Sequence, residues 1–227
     1  MQYTIEPIAH IENGYQDKFG IPRQAGLIDE VVSRIVFEKP YNTPEAFRGM
    51  EGFSHLWLIW GFSKARREGF SPTVRPPRLG GNTRMGVFAT RSPFRPNGLG
   101  LSCVRLDRLE HHPHLGTVLY VRGADLMDGT PIYDVKPYLP FADSRPEALG
   151  GFSKEGLSHR LEVLIPDDLA ASLPPDTLGA LRGILSQDPR PSYQDDPQRL
   201  YGVTYGGWNV KFRVEGDILT VAEVQRV

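Results

Sequence analysis

The 227-residue sequence contains a single cysteine, Cys103. That scarcity excludes an internal disulfide and a zinc site built from several cysteines. No apolar run approaches the roughly 18 residues that cross a bilayer as a helix. The opening residues, MQYTIEPIAH, lack a basic segment followed by an apolar one, so no secretory signal is expected and a cytoplasmic location is. No Gly-x-Gly-x-x-Gly opens a helix after a strand, which argues against a Rossmann nucleotide site. No Gly-x-Ser-x-Gly elbow is present, nor any internal repeat or low-complexity tract. Net charge is only −1, so the chain as a whole is no polycation.

Turn-forming residues, by contrast, are plentiful: 24 glycines and 20 prolines favour short strands over long helices. The charge is also unevenly spread. Residues 64–95 hold Lys64, Arg66, Arg67, Arg75, Arg78, Arg84, Arg91 and Arg95 against one acid, Glu68, whereas residues 167–196 carry six aspartates against Arg182 and Arg190. Such asymmetry marks either one face for an anionic partner or two solvated loops.

The first 140 residues read as strands between turns. YTIEPIAHIE (3–12) and VVSRIVFE (31–38) alternate, and SHLWLIWGF (54–62) is a continuous apolar run expected to be buried on both faces. LGLSCVRLDRLE and GTVLYVRGADL flank the turn HHPHL, and TPIYDVKPYL is a further strand interrupted by Pro137. TPEAFRGMEG predicts a short helix, with Thr43 as N-cap and Pro44 at its first position. The pattern is mainly β, an antiparallel β-barrel-like domain over residues 1–145. Residues 140–156, rich in Pro, Gly and Ser, read as a linker. Beyond it HRLEVLIP is a candidate strand, DTLGALRGILSQ a helix capped by Asp176, and WNVKFRVEGDILTVAEVQ a hairpin about Gly216. A smaller α+β domain over 146–227 is therefore expected.

The most unusual stretch is RMGVFATRSPFRPNGLGLS (84–102). Met85, Val87 and Ala89 alternate as in a strand, and then Arg91 to Asn97 turn a corner with two prolines. The prolines stiffen it, Asn97-Gly98 is a turn dipeptide, and Arg91 and Arg95 present planar forks suited to carboxylates and phosphates. A surface turn whose arginines pair with acids is the plainer reading, but no acid lies between Gly69 and Leu106. FGIPRQAG (19–26) and ADLMDGTPIYDVKPYLP (124–140) are rigid turns that are either ordinary connections or part of a site. SQDPRPSY (186–193) either ends a helix or displays Arg190, with Tyr193 available for stacking on a base. His55 is read as a packing residue or a base. His111, His112 and His114 are split by Pro113, so no metal site is expected.

Taken together, PRQAG, FSHLW, RPPRLGGNTRMGVFATRSPFRPN, DGTPIYDVKPYLPFAD and QDPRPSY resemble, in order and over nearly the whole chain, the tRNA methyltransferase family known as TrmO, TsaA or YaeB. The resemblance implies a β-barrel-like domain with a small C-terminal domain, a homodimer, and S-adenosylmethionine as cofactor. It also implies N6-methylation of N6-threonylcarbamoyladenosine beside the tRNA anticodon. Pro22, Arg23, Gln24, His55, Leu56, Arg91, Leu126, Asp128, Gly129, Thr130 and Pro131 would then bind the cofactor. Arg95 (or Arg84) would read the threonine carboxylate, Asn97 would orient the ureido group, and His55 or Asp128 would serve if a base is used. Arg75, Arg78, Arg84, Arg190 and Tyr193 would hold RNA. Rivals are a non-catalytic RNA- or nucleotide-binding barrel and a methyltransferase of the same fold with another substrate. Two departures stand out: Gly98-Leu99 replaces the family's usual Pro-Ile, and Glu12-Asn13-Gly14-Tyr15 replaces Arg-Ser-Pro-Tyr.

Overall fold

A computed structural model describes residues 3–62, 70–76, 79, 82–154, 160–190 and 196–227. In chain order the strands are β1 (Ala9–Glu12), β2 (Val32–Phe37), β3 (His55–Gly61), β4 (Thr73–Val74), β5 (Met85–Gly86), β6 (Leu99–His112), β7 (Gly116–Arg122) and β8 (Pro131–Pro137). They are followed by β9 (Glu162–Leu164), β10 (Tyr201–Tyr205), β11 (Trp208–Glu215) and β12 (Ile218–Arg226). The helices are α1 (Pro140–Asp143), α2 (Asp167–Ala171) and α3 (Pro175–Ser186). No helix among the described residues is long and apolar enough to cross a membrane.

Six strands pair in a ring, β1-β2-β7-β6-β3-β8, all neighbours antiparallel. The ring closes through a short seam in which Ala9 faces Ile132 and His10 faces Pro131. Because side chains alternate across a strand, Ile11, Ile35, Leu56, Leu58, Val104, Leu119, Val121 and Ile132 all point into one dry core. This mainly β architecture follows from the alternating segments of the sequence. In β3, however, only Leu56, Leu58, Trp60 and Gly61 are buried, while Trp57 and Ile59 are half-covered, so the apolar run is not enclosed on both faces.

Other expectations need correction. β1 is confined to residues 9–12, because Pro7 has no N–H to give a ladder and pairing starts only with the Ile8 N–H on the Ile132 carbonyl. The expected helix at 43–52 is two 3-10 turns split by Gly49 at φ +88°, and Thr43 makes no side-chain cap. Residues 85–89 are a two-residue strand followed by a 3-10 turn. Pro174, not Asp176, flanks the start of α3; Asp176 sits in its first turn, where a carboxylate favours the helix dipole. The stretch read as a linker carries α1 and a 3-10 turn at Gly151–Lys154.

A second sheet, β10-β11-β12-β9, packs against α3 around Leu181, Ile184, Leu185, Phe212, Val214 and Leu219. Tyr15, Ile28 and Val31, from the segment between β1 and β2, belong to this second core. Residues 13–31 thus tie the ring of strands to the C-terminal layer, and the Gly206 N–H donates to the Gly14 carbonyl at 3.0 Å.

Candidate functional site

The arginine corner is built from the inside out. Val87 is buried beneath the 3-10 turn at 87–89, and its carbonyl accepts from both the N–H and the hydroxyl of Thr90. Arg95 donates to the carbonyls of Thr90 (2.7 Å) and Val87 (3.4 Å), so its guanidinium staples the corner from which it springs. Arg91 is exposed and reaches across to the segment between β1 and β2, where Nη1 donates to Oε1 of Gln24 at 2.5 Å. A guanidinium carries five donors, and Gln24 engages one of them.

Behind this pair lies a carboxylate that sequence inspection did not single out. Trp60, at the end of β3, donates from Nε1 to the Ser102 hydroxyl at 2.9 Å, and Ser102 donates to Asp125 Oδ1 at 2.5 Å. Burial pushes the Asp125 carboxyl above its ordinary range, opposed by the Ser102 hydroxyl, the Arg91 guanidinium and the Ala25 N–H. Asp125 precedes DGTP in the same turn, yet its identity as an inward carboxylate depends on β3–β6 register, which no local pattern reveals. Tyr15 adjoins the group: its buried hydroxyl has no hydrogen-bond partner among the described residues, and burial first, then Tyr205, Asp125 and Glu30, holds the phenol far above its usual value.

The DGTP turn is bolted to the same end of the ring. Asp128 Oδ1 accepts from the Asn13 N–H at 2.9 Å, its own N–H donates to the Tyr15 carbonyl, and the Gly129 N–H donates to Ile11. Leu126 and Thr130 are buried, so a ligand at this turn would meet their backbone rather than their side chains. Pro22 is buried, Arg23 exposed, and Pro131 half-buried at the start of β8.

Strand register separates His55 and Leu56 from this assembly within one chain. β3 and β8 run antiparallel with Leu56 opposite Pro137 and Trp60 opposite Ile132. His55 therefore lies about 17 Å along the strand from Trp60, at a rise of roughly 3.4 Å per residue. There its Nδ1 contacts the Ser54 hydroxyl at 2.9 Å and its ring meets Tyr138 edge-on. Leu56 is fully buried in the barrel.

Arg75, Arg84 and Asn97 are exposed, with Arg84 donating to the Thr73 hydroxyl at 3.2 Å. Arg190 is not displayed: its side chain is 9% exposed and grips Asp188 through Nε and Nη2 at 2.8 and 2.9 Å. The RNA assignments of Arg78 and Tyr193 lie outside the described residues. Gly98 adopts φ +55°, a conformation that proline, fixed near −65°, cannot take. Two residues on, a Cβ at Gly100 would meet the Trp60 indole at 2.3 Å, so glycine lets that ring lie flat against β6.

Elsewhere, a cleft of about 410 Å³ opens between residues 26–30 and α3, lined by Asp29, Glu30, Arg160 and Arg182. Among the described residues no three His, Cys, Asp or Glu side chains cluster as a metal site would require. A guanidinium and a buried carboxylate at one barrel end suit a ligand carrying both an anionic and a cationic group.

Comparison with known proteins is consistent along the whole chain. The model for the tRNA-methyltransferase O N-terminal domain matches residues 10–144, and that for the TrmO C-terminal domain matches residues 161–227. A tRNA (adenine(37)-N6)-methyltransferase of Escherichia coli is 41% identical over 221 residues, covering 93% of each chain. One from Eikenella corrodens is 49% identical over 176 residues, 77% of this chain and 98% of that one. A Pseudomonas aeruginosa protein provisionally described as an S-adenosylmethionine-dependent methyltransferase is 36% identical over 232 residues, 99% of this chain and 98% of its own. A crystal structure of TrmO from Pseudomonas aeruginosa superposes with TM-score 0.79 at 31% identity, covering 99% of this chain and all of that one.

Proposed function

The chain belongs to the tRNA-methyltransferase O family, and from that premise we propose that it methylates N6 of N6-threonylcarbamoyladenosine at position 37 of tRNA. The enzyme class, an S-adenosylmethionine-dependent tRNA methyltransferase acting on adenine 37, follows from the family. The threonylcarbamoyl substrate, a homodimeric assembly and a cytoplasmic setting are our own reading.

The observation that carries it is the pairing of Arg91 with Gln24 beside the buried Asp125. S-adenosylmethionine, when bound, supplies an activated methyl group. Arg91 would hold its carboxylate, since a guanidinium next to the sulfonium would repel it. Gln24, with Pro22 and Arg23 beside it, fixes where that guanidinium points. Asp125, anchored by Ser102 and Trp60, would face the cationic side of the ligand. Leu126, Asp128, Gly129, Thr130 and Pro131 would supply backbone around the adenosine, with the Asp128 carboxylate already committed to the Asn13 N–H. Asn97, exposed at the corner's end, would orient the ureido group, and Arg84 or Arg95 would meet the threonine carboxylate. Methyl transfer to a positioned nitrogen draws most of its acceleration from alignment, and the arginine staple and ring of strands provide that rigidity.

The outer face of β3 and β6 supports the dimer: Leu101 is 51% exposed there, beside Leu99 and the half-covered Ile59. To test the reading, purified protein is incubated with S-adenosylmethionine and tRNA with or without threonylcarbamoyladenosine, then nucleosides are analysed by mass spectrometry. One methyl added to the modified nucleoside alone is expected. Equal methylation of unmodified adenosine would assign a different substrate, and binding without turnover would make this a recognition module.

A further inference from the structure

Phe88 and Phe70 are 72% and 56% exposed, an unusual way to leave two phenyl rings. They come from segments held side by side: β4 pairs with β5, and the Val87 N–H donates to the Pro72 carbonyl at 2.9 Å. The rings are stacked, centroids 6.4 Å apart and planes 27° from parallel. The Arg95 guanidinium lies 5.9 Å from the Phe88 centroid, and buried Val87, one residue before, pins the turn that thrusts Phe88 outward. Arg75 and Arg84 are exposed on the same two segments, and the sequence has no acid between Gly69 and Leu106.

We propose that Phe88 and Phe70 form a stacking platform for an unpaired base of an RNA loop, with the surrounding arginines meeting its phosphates. Flat apolar faces bordered by cations, with no anion beside them among the described residues, match a single-stranded nucleic acid, whose bases stack on aromatic rings while its backbone tracks positive charge. A protein partner would gain little from such uniform charge. The proposal rests on the tRNA reading but extends it, because neither ring belongs to the cofactor or catalytic set.

The test uses the full chain with Phe88→Ala, Phe88→Leu and Phe88→Trp, each checked for folding by circular dichroism. The probe is a fluorescent anticodon stem–loop, compared with a fully paired duplex of the same stem. Since stacking on one ring is worth about 5- to 150-fold in affinity per base, Phe88→Ala and Phe88→Leu should both weaken loop binding by such a factor. Phe88→Trp should restore it, while duplex binding and S-adenosylmethionine affinity stay unchanged. Full loop affinity in Phe88→Leu would overturn the platform. A change confined to oligomeric state would reassign the rings to a contact between copies, and a change in cofactor affinity would reassign them to the cofactor's adenine. Wild-type protein that binds the loop without methylating it would leave the platform standing and defeat the enzymatic reading instead.

Discussion

Two turns in this protein place arginines among prolines, at Arg91–Asn97 and at Asp188–Arg190, and they end in opposite states. In the first, Arg91 stands exposed and donates to Gln24, Arg95 donates from Nη1 to the carbonyls of Thr90 and Val87, and neither makes an ion pair with an acid among the described residues. In the second, Arg190 is folded down on Asp188, two residues back, and stacks near Tyr201 with its guanidinium 6.0 Å from the ring. Proline stiffness shapes both corners; the nearest carboxylate decides whether the charge remains available. A cationic turn whose arginines are not clasped by an acid of the turn itself leaves them available to a ligand, whereas the same turn with a built-in aspartate is a clasp.

The comparison can be broken by exchanging activity for stability. Arg91→Ala should lower kcat/KM for tRNA methylation by about 100-fold, roughly 2.7 kcal/mol of transition-state free energy, with little change in melting temperature. Arg190→Ala should do the reverse, costing about 1–3 kcal/mol of stability because charge-assisted bonds to Asp188 are lost, measurable by urea denaturation. Asp125→Asn separates the two roles within one residue. Burial raises that carboxyl's pKa, so the fold favours its neutral form; its stabilising share is complete below the unfolded value and is lost as pH rises through the folded one. The neutral amide should therefore hold or raise stability at neutral pH, while cofactor affinity falls about tenfold, roughly 1.4 kcal/mol. The smallest effect is alkaline. Burial lifts the Tyr205 phenol to about 12, so its contribution persists below the ordinary value near 10 and disappears as pH climbs between the two. Tyrosinate absorbance and unfolding followed together should show the C-terminal core loosening in that interval.

Much of the fold was legible because alternation and turn chemistry are local: β2, β3, β6, β7 and β8 lie where their patterns put them. Segment ends were less so, since the brake on β1 and the break at Gly49 depend on single backbone positions. The candidate site was legible as motifs but not as an assembly. Arg91, Gln24 and Asp128 come together at one end of the ring, whereas His55, in an equally suggestive motif, is carried to the far end by the β3–β8 register. Asp125 and Ser102 escaped notice because one buried carboxylate and one strand serine have no local signature; only the pairing of Ser102 with Leu58 and the Trp60 bond bring them to the mouth. Arg190 misled because a sequence shows that a partner is near but not that it is bound.

The central claim is that the exposed arginine corner, and not the buried one, holds the cofactor's carboxylate. Isothermal titration of S-adenosylmethionine into wild type, Arg91→Ala and Arg190→Ala tests it most directly. We expect Arg91→Ala to weaken binding at least about tenfold, roughly 1.4 kcal/mol, and Arg190→Ala to bind as wild type does at a temperature where both remain folded. Unchanged affinity in Arg91→Ala would contradict the claim.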